Sequence, residues 1–128
     1  LSAVSTDHPL YVGYLGMHGN YGPNVKTNEC DLLIAVGMRF DDRVTGDVKT
    51  YATQAKVIHI EIDPAEINKI IKADVAINSD AKGALVSLIN KVKPSSHTAW
   101  LAEFRVCDQI EYEKITSKEF YPESDGLK

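Results

Sequence analysis

The chain has 128 residues, enough for one domain of ordinary size, and its 44% hydrophobic and 25% charged residues are typical of a globular protein. Its net charge of -4 argues against a nucleic-acid-binding protein, which would usually carry a basic face. No apolar run approaches the ~20 residues that a membrane-spanning helix needs, and residues 1–14 lack the pattern of a signal peptide.

The two cysteines also exclude some kinds of site. Cys30 and Cys107 are isolated, and neither belongs to a CxxC pair. We therefore expect neither a structural disulfide nor a zinc site, and a reducing cytoplasm fits this pattern. The chain begins at Leu1 without a methionine, which predicts a piece of a longer protein.

The first segment with possible chemistry is Gly16-Met17-His18-Gly19. Glycines allow a backbone to approach a neighbour closely. Met17 has a polarisable thioether suited to lying against a flat ring, and His18 can donate or accept a hydrogen bond. The alternative is an ordinary turn without a ligand.

A helix predicted over residues 23–28 leads to the apolar run Leu32–Val36, which breaks at Gly37. Such a run predicts a buried parallel strand, and ligands of open α/β sheets bind where these strands end. A second, weak helix is predicted from Val44 to about residue 52.

The loop after this strand holds four charged residues: Arg39, Asp41, Asp42 and Arg43. Arginine has a planar fork suited to phosphate. The aspartates could pair with the arginines or accept hydrogen bonds from a ribose. The alternative is a surface loop whose charges pair with each other.

The next strand is predicted over residues 56–62, and Asp63-Pro64-Ala65-Glu66 then predicts a capped helix that continues to about Lys72. Glu61 stands at the carboxyl end of this strand. An acidic residue there often accepts a hydrogen bond from a ribose hydroxyl in nucleotide-binding α/β folds. The alternative is that Glu61 only decorates the strand end.

A third strand is predicted over residues 74–78, and Asp80 is the predicted N-cap of the most regular helix, whose N-terminus could also take polar ligand groups. The apolar positions of that helix have helical spacing: Ala81, Ala84, Leu85, Leu88, Ile89 and Val92. A further helical stripe from Trp100 to Ile110 predicts packing rather than an aromatic binding site. Residues 121–128 are predicted to be a linker.

Alternating strands and helices predict an α/β fold with a three-layer, mostly parallel sheet and flanking helices, of the Rossmann-like nucleotide-binding kind. Only three strands are convincing, against ~5–6 in an average sheet. Neither a GxGxxG nor a P-loop motif is present. We therefore expect a sheet that is incomplete at its N-terminal side.

Three motifs in order carry a resemblance to a known family: residues 15–19 (LGMHG), 36–46 (VGMRFDDRVTG) and 59–67 (HIEIDPAEI). Together they resemble the central domain of the acetohydroxyacid synthase (acetolactate synthase) catalytic subunit. This family consists of thiamine-diphosphate enzymes of branched-chain amino-acid biosynthesis. The resemblance implies a partial FAD-binding central domain over residues 1–94, and a helix and linker over residues 95–128 that lead to an absent third domain.

The resemblance also implies a division of labour within the full enzyme. FAD binds to the central domain without a net redox role, and thiamine diphosphate and magnesium bind between the first and third domains. The full enzyme decarboxylates pyruvate and joins the two-carbon unit to a second 2-oxo acid. The family's catalytic glutamate lies in the first domain, so we expect no catalytic residue here and no activity of the fragment alone.

By the same resemblance, the cofactor-binding residues fall into groups along the FAD molecule. The residues along the flavin and ribityl part would be Gly16, Met17, His18 and Gly19. Those around the ribityl-diphosphate part would be Gly37, Arg39, Asp41, Arg43 and Val44. Those at the adenosine end would be Glu61 and Ile62, with Asp80 and Ala81 near the adenine.

The implied partners are the rest of the same catalytic chain and a regulatory small subunit. A sheet without its first strand–helix unit leaves an unpaired edge that invites pairing with another chain, so we also expect a homo-oligomer. We expect neither nucleic acid nor membrane as a partner. Two alternatives stay open: the central domain of another thiamine-diphosphate carboligase or oxidase, in which the flavin can be redox-active, and a stand-alone nucleotide-binding module.

Overall fold

The computed structural model describes residues 3–116 and divides the chain into two compact units. Within the described range, the first comprises residues 3–25 and 97–116, and the second comprises residues 26–96. No helix within the described range is long and apolar enough to cross a membrane. The linker predicted over residues 121–128 lies outside the described residues.

The second unit is built on a parallel three-stranded sheet, which confirms the predicted fold class. Its strands are β1 (Leu32–Val36), β2 (Lys56–Glu61) and β3 (Val75–Asn78), in the order β1-β2-β3. Ile34 pairs with Ile58 in the parallel register. Since the strands are parallel, all three carboxyl ends lie at one edge of the sheet.

The core of this unit lies mainly on one face of the sheet, although Ile60 on the other face is also buried, at 1% exposed. On the core face, Ala35 and His59 are register partners and are 3% and 0% exposed. Phe40, Tyr51 and Ala52, from the connection between β1 and β2, are buried as well. The prediction that β1 is buried holds for this face only. The side chains of β1 that point to the other face remain exposed: Leu32, Ile34 and Val36.

The helix after β1 is shorter than predicted. α2 covers only Asp42–Thr45 and ends at Gly46, which has a φ of 58°. The Thr45 hydroxyl also donates to the carbonyl of Asp41, which draws this short turn back on itself. Glycine readily adopts positive φ and so ends a helix, and the chain continues through turns to β2.

The helix predicted after β2 is wrong: residues 63–72 form turns. The cap signal is nevertheless present, because the Asp63 carboxylate accepts a hydrogen bond from the Ala65 amide at 2.9 Å. Glu66 pairs with Lys69 instead of reaching back to complete a capping box. Asn68 then takes a left-handed φ of 61°, which asparagine tolerates better than most residues, and helix growth stops there.

The prediction for the next helix is confirmed at its start. α3 covers Ala81–Ile89, and the Asp80 carboxylate accepts a hydrogen bond from the Gly83 amide at 3.0 Å. Only Ala84 of its apolar stripe is buried, whereas Ile89 is 70% exposed. The helix packs mainly against β2, so a three-stranded sheet covers only part of the predicted face.

The first unit is organised by α4, which covers Thr98–Glu111 and continues into a π-helical turn, Tyr112–Thr116. Phe104 and Cys107 are its buried residues, which confirms that the apolar stripe serves packing. α1 (Tyr21–Thr27) begins in this unit and ends in the other. Its start is tied to α4, because Glu111 accepts a hydrogen bond from the Tyr21 amide at 2.8 Å.

Asp74 fastens the start of β3 to β2 and generates a prediction about stability. Its carboxylate accepts hydrogen bonds from the Val57 amide at 2.8 Å and from the Lys56 ammonium at 3.0 Å. The Val57 amide, followed by Lys56, lowers the pKa of Asp74 below its ordinary value of 3.8. Asp74 therefore adds stability above its ordinary pKa, and this contribution is lost as the pH falls through the lowered value.

We expect Asp74→Ala to lower the free energy of unfolding at neutral pH, with the difference from the wild type closing as the pH falls below 3.8. Lys56→Met should have a smaller effect, since the Lys56 side chain is 77% exposed and the Val57 amide is the larger cause of the shift. Urea unfolding at a series of pH values measures both. Equal effects of the two substitutions would contradict this account.

Candidate functional site

The loop after β1 begins beside open space at the edge of the sheet. The Gly37 amide donates to the carbonyl of Ile60 at 2.8 Å, so the pairing with β2 extends one residue beyond the strand. Gly37 then turns with a φ of 60°, and a Cβ built there would meet nothing within 4 Å. The backbone at this strand end therefore borders open space, where ligands of parallel sheets bind.

The residues that follow Gly37 are held in place by side chains of the core. His59 Nε2 lies 2.8 Å from the carbonyl oxygen of Met38. Phe40 is 2% exposed and has a φ of 54°, unusual for a bulky residue. Its ring meets those of His59 and Tyr51 edge-on, with centroids 5.0 and 6.2 Å apart. Sequence reasoning did not single out His59; its signal was a polar residue within an otherwise apolar strand.

Asp41 carries an unsatisfied buried oxygen. Its backbone carbonyl accepts the Val44 and Thr45 amides at 3.0 Å each, which starts α2. Its carboxylate Oδ2 lies 3.8 Å from Arg39, but Oδ1 is buried without a hydrogen-bond partner among residues 3–116. An unsatisfied buried acceptor costs about 1–3 kcal/mol. This oxygen therefore offers an acceptor to a hydroxyl or amide donor.

The two arginine side chains of the loop are accessible from solvent. The Arg39 side chain is 70% exposed, and its pair with Asp41 is long, as in a weak surface ion pair. Arg43 is exposed within α2, and Val44 beside it is half-buried. The Arg39–Asp41 pair leaves Arg39 mostly in solvent, so these two charges do not fully neutralise each other.

Glu61 is fixed at the end of β2. It is 7% exposed, and its Oε1 accepts hydrogen bonds from the amides of Ile62 at 2.9 Å and Asp63 at 3.2 Å. Asn78 holds the same strand end from β3, since its side-chain amide donates to the carbonyls of Glu61 and Ile62. Glu61 thus shapes its own strand end through Oε1, and these bonds leave Oε2 unused. The Ile62 side chain is 70% exposed.

The last predicted pair follows β3. Asp80 caps α3 through Oδ1, and Ala81, the first residue of the helix, is exposed. The Ser79 amide donates to the carbonyl of Glu61 at 3.2 Å, so the chain leaves β3 close to the end of β2. The structure therefore brings the predicted residues of this unit to one edge of the sheet: Gly37, Arg39, Asp41, Arg43, Val44, Glu61, Ile62, Asp80 and Ala81.

The segment Gly16-Met17-His18-Gly19 lies in the other unit and forms a tight turn, closed by a 2.9 Å bond from the Gly19 amide to the Gly16 carbonyl. Asn24 holds Gly16 on both sides, accepting from its amide at 3.0 Å and donating to its carbonyl at 2.9 Å. Met17 is 70% exposed, and His18 is exposed too. The turn thus presents both side chains to solvent.

Glycine is required at position 19 by the packing of the turn itself. A Cβ there would lie 2.3 Å from the carbonyl oxygen of Tyr14, so close approach within the chain's own turn already requires glycine. Asn24 was not singled out by sequence reasoning, although its position in a short helix just after the motif was a signal.

Neither metal chemistry nor thiol chemistry at Cys30 is supported among the described residues. Within residues 3–116, no group of three or more His, Cys, Asp or Glu side chains could hold a metal ion. Burial raises the pKa of the Cys30 thiol, which weakens it as a nucleophile. The polar groups at the carboxyl edge of the sheet are therefore the strongest candidate site of this unit.

Comparisons with known proteins identify the family to which the chain belongs. The family model described as thiamine pyrophosphate enzyme, central domain, matches residues 1–88. The acetolactate synthase isozyme 2 large subunit of Escherichia coli is 50% identical over 106 residues, which covers 80% of this chain and 19% of the relative. A probable acetolactate synthase large subunit of Methanocaldococcus jannaschii is 55% identical over 83 residues, covering 65% and 14%.

A more distant relative aligns along the whole chain. The acetolactate synthase large subunit of Buchnera aphidicola is 36% identical over 129 residues, which covers 100% of this chain and 22% of the relative. The chain therefore spans between 14% and 22% of the length of these three relatives.

Gly37 and Gly46 have positive φ on either side of the charged loop, and they should tolerate an added side chain to different degrees. Gly37→Ala forces alanine to a φ of 60° in open space, and we expect a loss of roughly 1–2 kcal/mol in the free energy of unfolding. Gly46→Ala should cost more, about 1–3 kcal/mol, because its φ of 58° and ψ of -127° lie outside the left-handed helical region. Urea unfolding compares them, and an inconsequential Gly46→Ala would contradict the assignment of strain.

Proposed function

Since the chain belongs to the family of thiamine pyrophosphate enzyme central domains, we propose that it is the FAD-binding central domain of an acetolactate synthase large subunit. In this proposal the full enzyme condenses pyruvate with a second 2-oxo acid in branched-chain amino-acid biosynthesis. Thiamine diphosphate and magnesium bind to other parts of that enzyme, and residues 1–128 alone are not catalytic. The relatives named above are all acetolactate synthases, which favours this enzyme over related carboligases and oxidases.

The observation that carries the FAD proposal is the chemistry of the loop after β1. A diphosphate needs cationic donors, and Arg39 and Arg43 are exposed beside a strand end. A ribityl chain brings hydroxyl donors, and the buried Oδ1 of Asp41 has no donor among the described residues. Gly37 leaves open space beside them. These residues therefore fit the middle of an FAD molecule.

The adenosine end of the cofactor fits the neighbouring strand ends. Glu61 is held rigidly by two backbone amides on Oε1, and its Oε2 could accept a hydrogen bond from a ribose hydroxyl. The exposed Ile62 offers apolar contact to a base, with Asp80 and Ala81 at the N-terminus of α3. In the other unit, the exposed Met17 offers a polarisable surface to a flavin ring and His18 a hydrogen-bonding group.

We extend the proposal to assembly and location. The exposed apolar side chains of β1 (Leu32, Ile34 and Val36) would be covered by the rest of the catalytic chain or by another copy in a homo-oligomer. The relatives are named large subunits, so a small regulatory subunit is a further proposed partner. The free thiols of Cys30 and Cys107 suit a cytoplasmic enzyme. Under this proposal the division of the chain near residue 94 remains a prediction.

The test of FAD binding is a titration of the protein with FAD, following flavin fluorescence and melting temperature together. We expect saturable quenching with stabilisation. Arg39→Ala should weaken binding roughly tenfold to a hundredfold, since hydrogen bonds to a charged group contribute about 1.5–3 kcal/mol. Arg105→Ala is the matched control, because Arg105 is an exposed arginine of α4 outside the proposed site. Equal affinities of the two variants would contradict the role of Arg39.

The test of assembly is sedimentation over a range of concentrations, in which we expect a dimer or higher oligomer. Ile34→Lys should shift the distribution towards the monomer, because Ile34 is 48% exposed on the uncovered sheet face and a lysine there would resist burial. Val106→Lys, at a position of α4 that is 61% exposed, serves as the control for an added charge. A wild-type monomer at high concentration would count against the oligomer.

A further inference from the structure

His59 is a buried polar residue to which neither the family motifs nor the proposed FAD contacts give a role. It is 0% exposed and lies on β2, the central strand of the sheet. We infer that His59 is the positioning residue for the loop after β1, and that it acts through a proton on Nε2. The part of this inference that concerns a ligand rests on the proposed FAD function.

The assignment of the proton follows from the partners of the ring. A carbonyl oxygen can only accept, so the 2.8 Å contact between Nε2 and the Met38 carbonyl requires a hydrogen on Nε2. Nδ1 is buried and has no hydrogen-bond partner among residues 3–116. A second proton on Nδ1 would therefore place an unpaired N–H and a charge in the core. One neutral tautomer is consistent with both atoms.

The control of the loop follows from two contacts made by the same ring. The Nε2–H bond fixes the Met38 carbonyl, and the His59 ring packs against that of Phe40 in a T-shaped arrangement with centroids 5.0 Å apart. Phe40 keeps a left-handed φ of 54°, which a bulky residue maintains only when its surroundings hold it there. The residue next to His59, Ile60, holds Gly37 through its carbonyl. Two adjacent residues of β2, His59 and Ile60, therefore hold the first part of the loop, residues 37–40.

Arg39 lies between the two fixed residues. Its neighbours Met38 and Phe40 are both held by His59, whereas its own side chain is 70% exposed. The backbone direction at Arg39, and with it the region that the guanidinium can reach, is therefore set from inside the core. Binding to a preformed loop avoids the loss of conformational entropy that ordering a mobile loop would require.

An apolar residue at position 59 would not hold the loop in this way. Leucine could fill much of the space, but the Met38 carbonyl would lose its donor, and the loop would be free to turn towards solvent. Glutamine has a side-chain amide that can donate to the same carbonyl. His59→Leu and His59→Gln therefore separate loop positioning from simple filling of the core.

The first experiment locates the ring proton of His59 in the wild-type protein. The full-length protein is labelled with ¹⁵N-histidine, and the signal of His59 is identified by its loss in His59→Gln. We expect the ring proton of the wild-type His59 on Nε2 and none on Nδ1. A charged ring or a proton on Nδ1 overturns the inference, whether or not the protein binds FAD.

The second experiment measures the loop and the ligand in the same variants. His59→Leu should speed amide hydrogen exchange over residues 37–41 about tenfold or more relative to β3, and should weaken FAD binding about tenfold, as for the loss of one hydrogen bond. His59→Gln should restore both to within roughly threefold of the wild type. Tyr51→Phe is the control, since it keeps the ring beside Phe40 and removes only a hydroxyl that is unpartnered within the described residues.

The outcomes separate this inference from the proposed function. If the wild type binds FAD and His59→Leu binds it equally well with an unchanged loop, the inference is overturned and the FAD proposal stands. If the wild type does not bind FAD, the FAD proposal fails, and the tautomer and the exchange rates still decide the role of His59. Equal loss in the leucine and glutamine variants would assign His59 to core packing alone and overturn the inference.

Discussion

Parallel pairing between β1 and β2 is the constraint on which the candidate site depends. The two strands run in register from Leu32 opposite Lys56 to Val36 opposite Ile60, and the Gly37 amide adds one more bond to the Ile60 carbonyl. Because the strands are parallel, the loop after β1 and the acid at the end of β2 emerge at the same edge. A slip by one residue would turn His59 towards the other face and remove the support of the loop.

Three local departures from ordinary structure lie in the loop after β1 or in contact with it, and others, such as the positive φ of Ala52 and Asn68, lie elsewhere in the unit. Phe40 holds a left-handed backbone, Asp41 keeps a buried oxygen without a partner, and His59 keeps a buried nitrogen without one among the described residues. Such features reduce stability and are common at functional sites, where the surrounding structure maintains them. Their position beside exposed arginines agrees with a loop shaped for a polar ligand rather than for maximal stability.

The two compact units contribute differently to the proposed function. The unit of residues 26–96 offers charges and acceptors that suit a diphosphate and a ribose, whereas the other unit offers a turn with an exposed methionine and histidine. In each unit an amide side chain braces the predicted segment: Asn78 holds the end of β2, and Asn24 holds the glycine turn. The hydrogen bonds through which these residues act go to backbone groups, which a sequence motif does not reveal.

The sequence by itself determined what depends on neighbours along the chain. The bounds of β1, the N-cap Asp80, the parallel α/β class and the family motifs were all predictable, because apolar runs, capping residues and strand-end glycines act locally. The tertiary structure decided what depends on distant neighbours. Asn68 adopts a left-handed φ where the Asp63 cap predicted a helix, Glu61 turns its Oε1 onto its own strand end, and the ring of His59 fixes a loop some twenty residues earlier in the chain. Those outcomes depend on which groups the folded sheet brings together, and no local pattern specifies that.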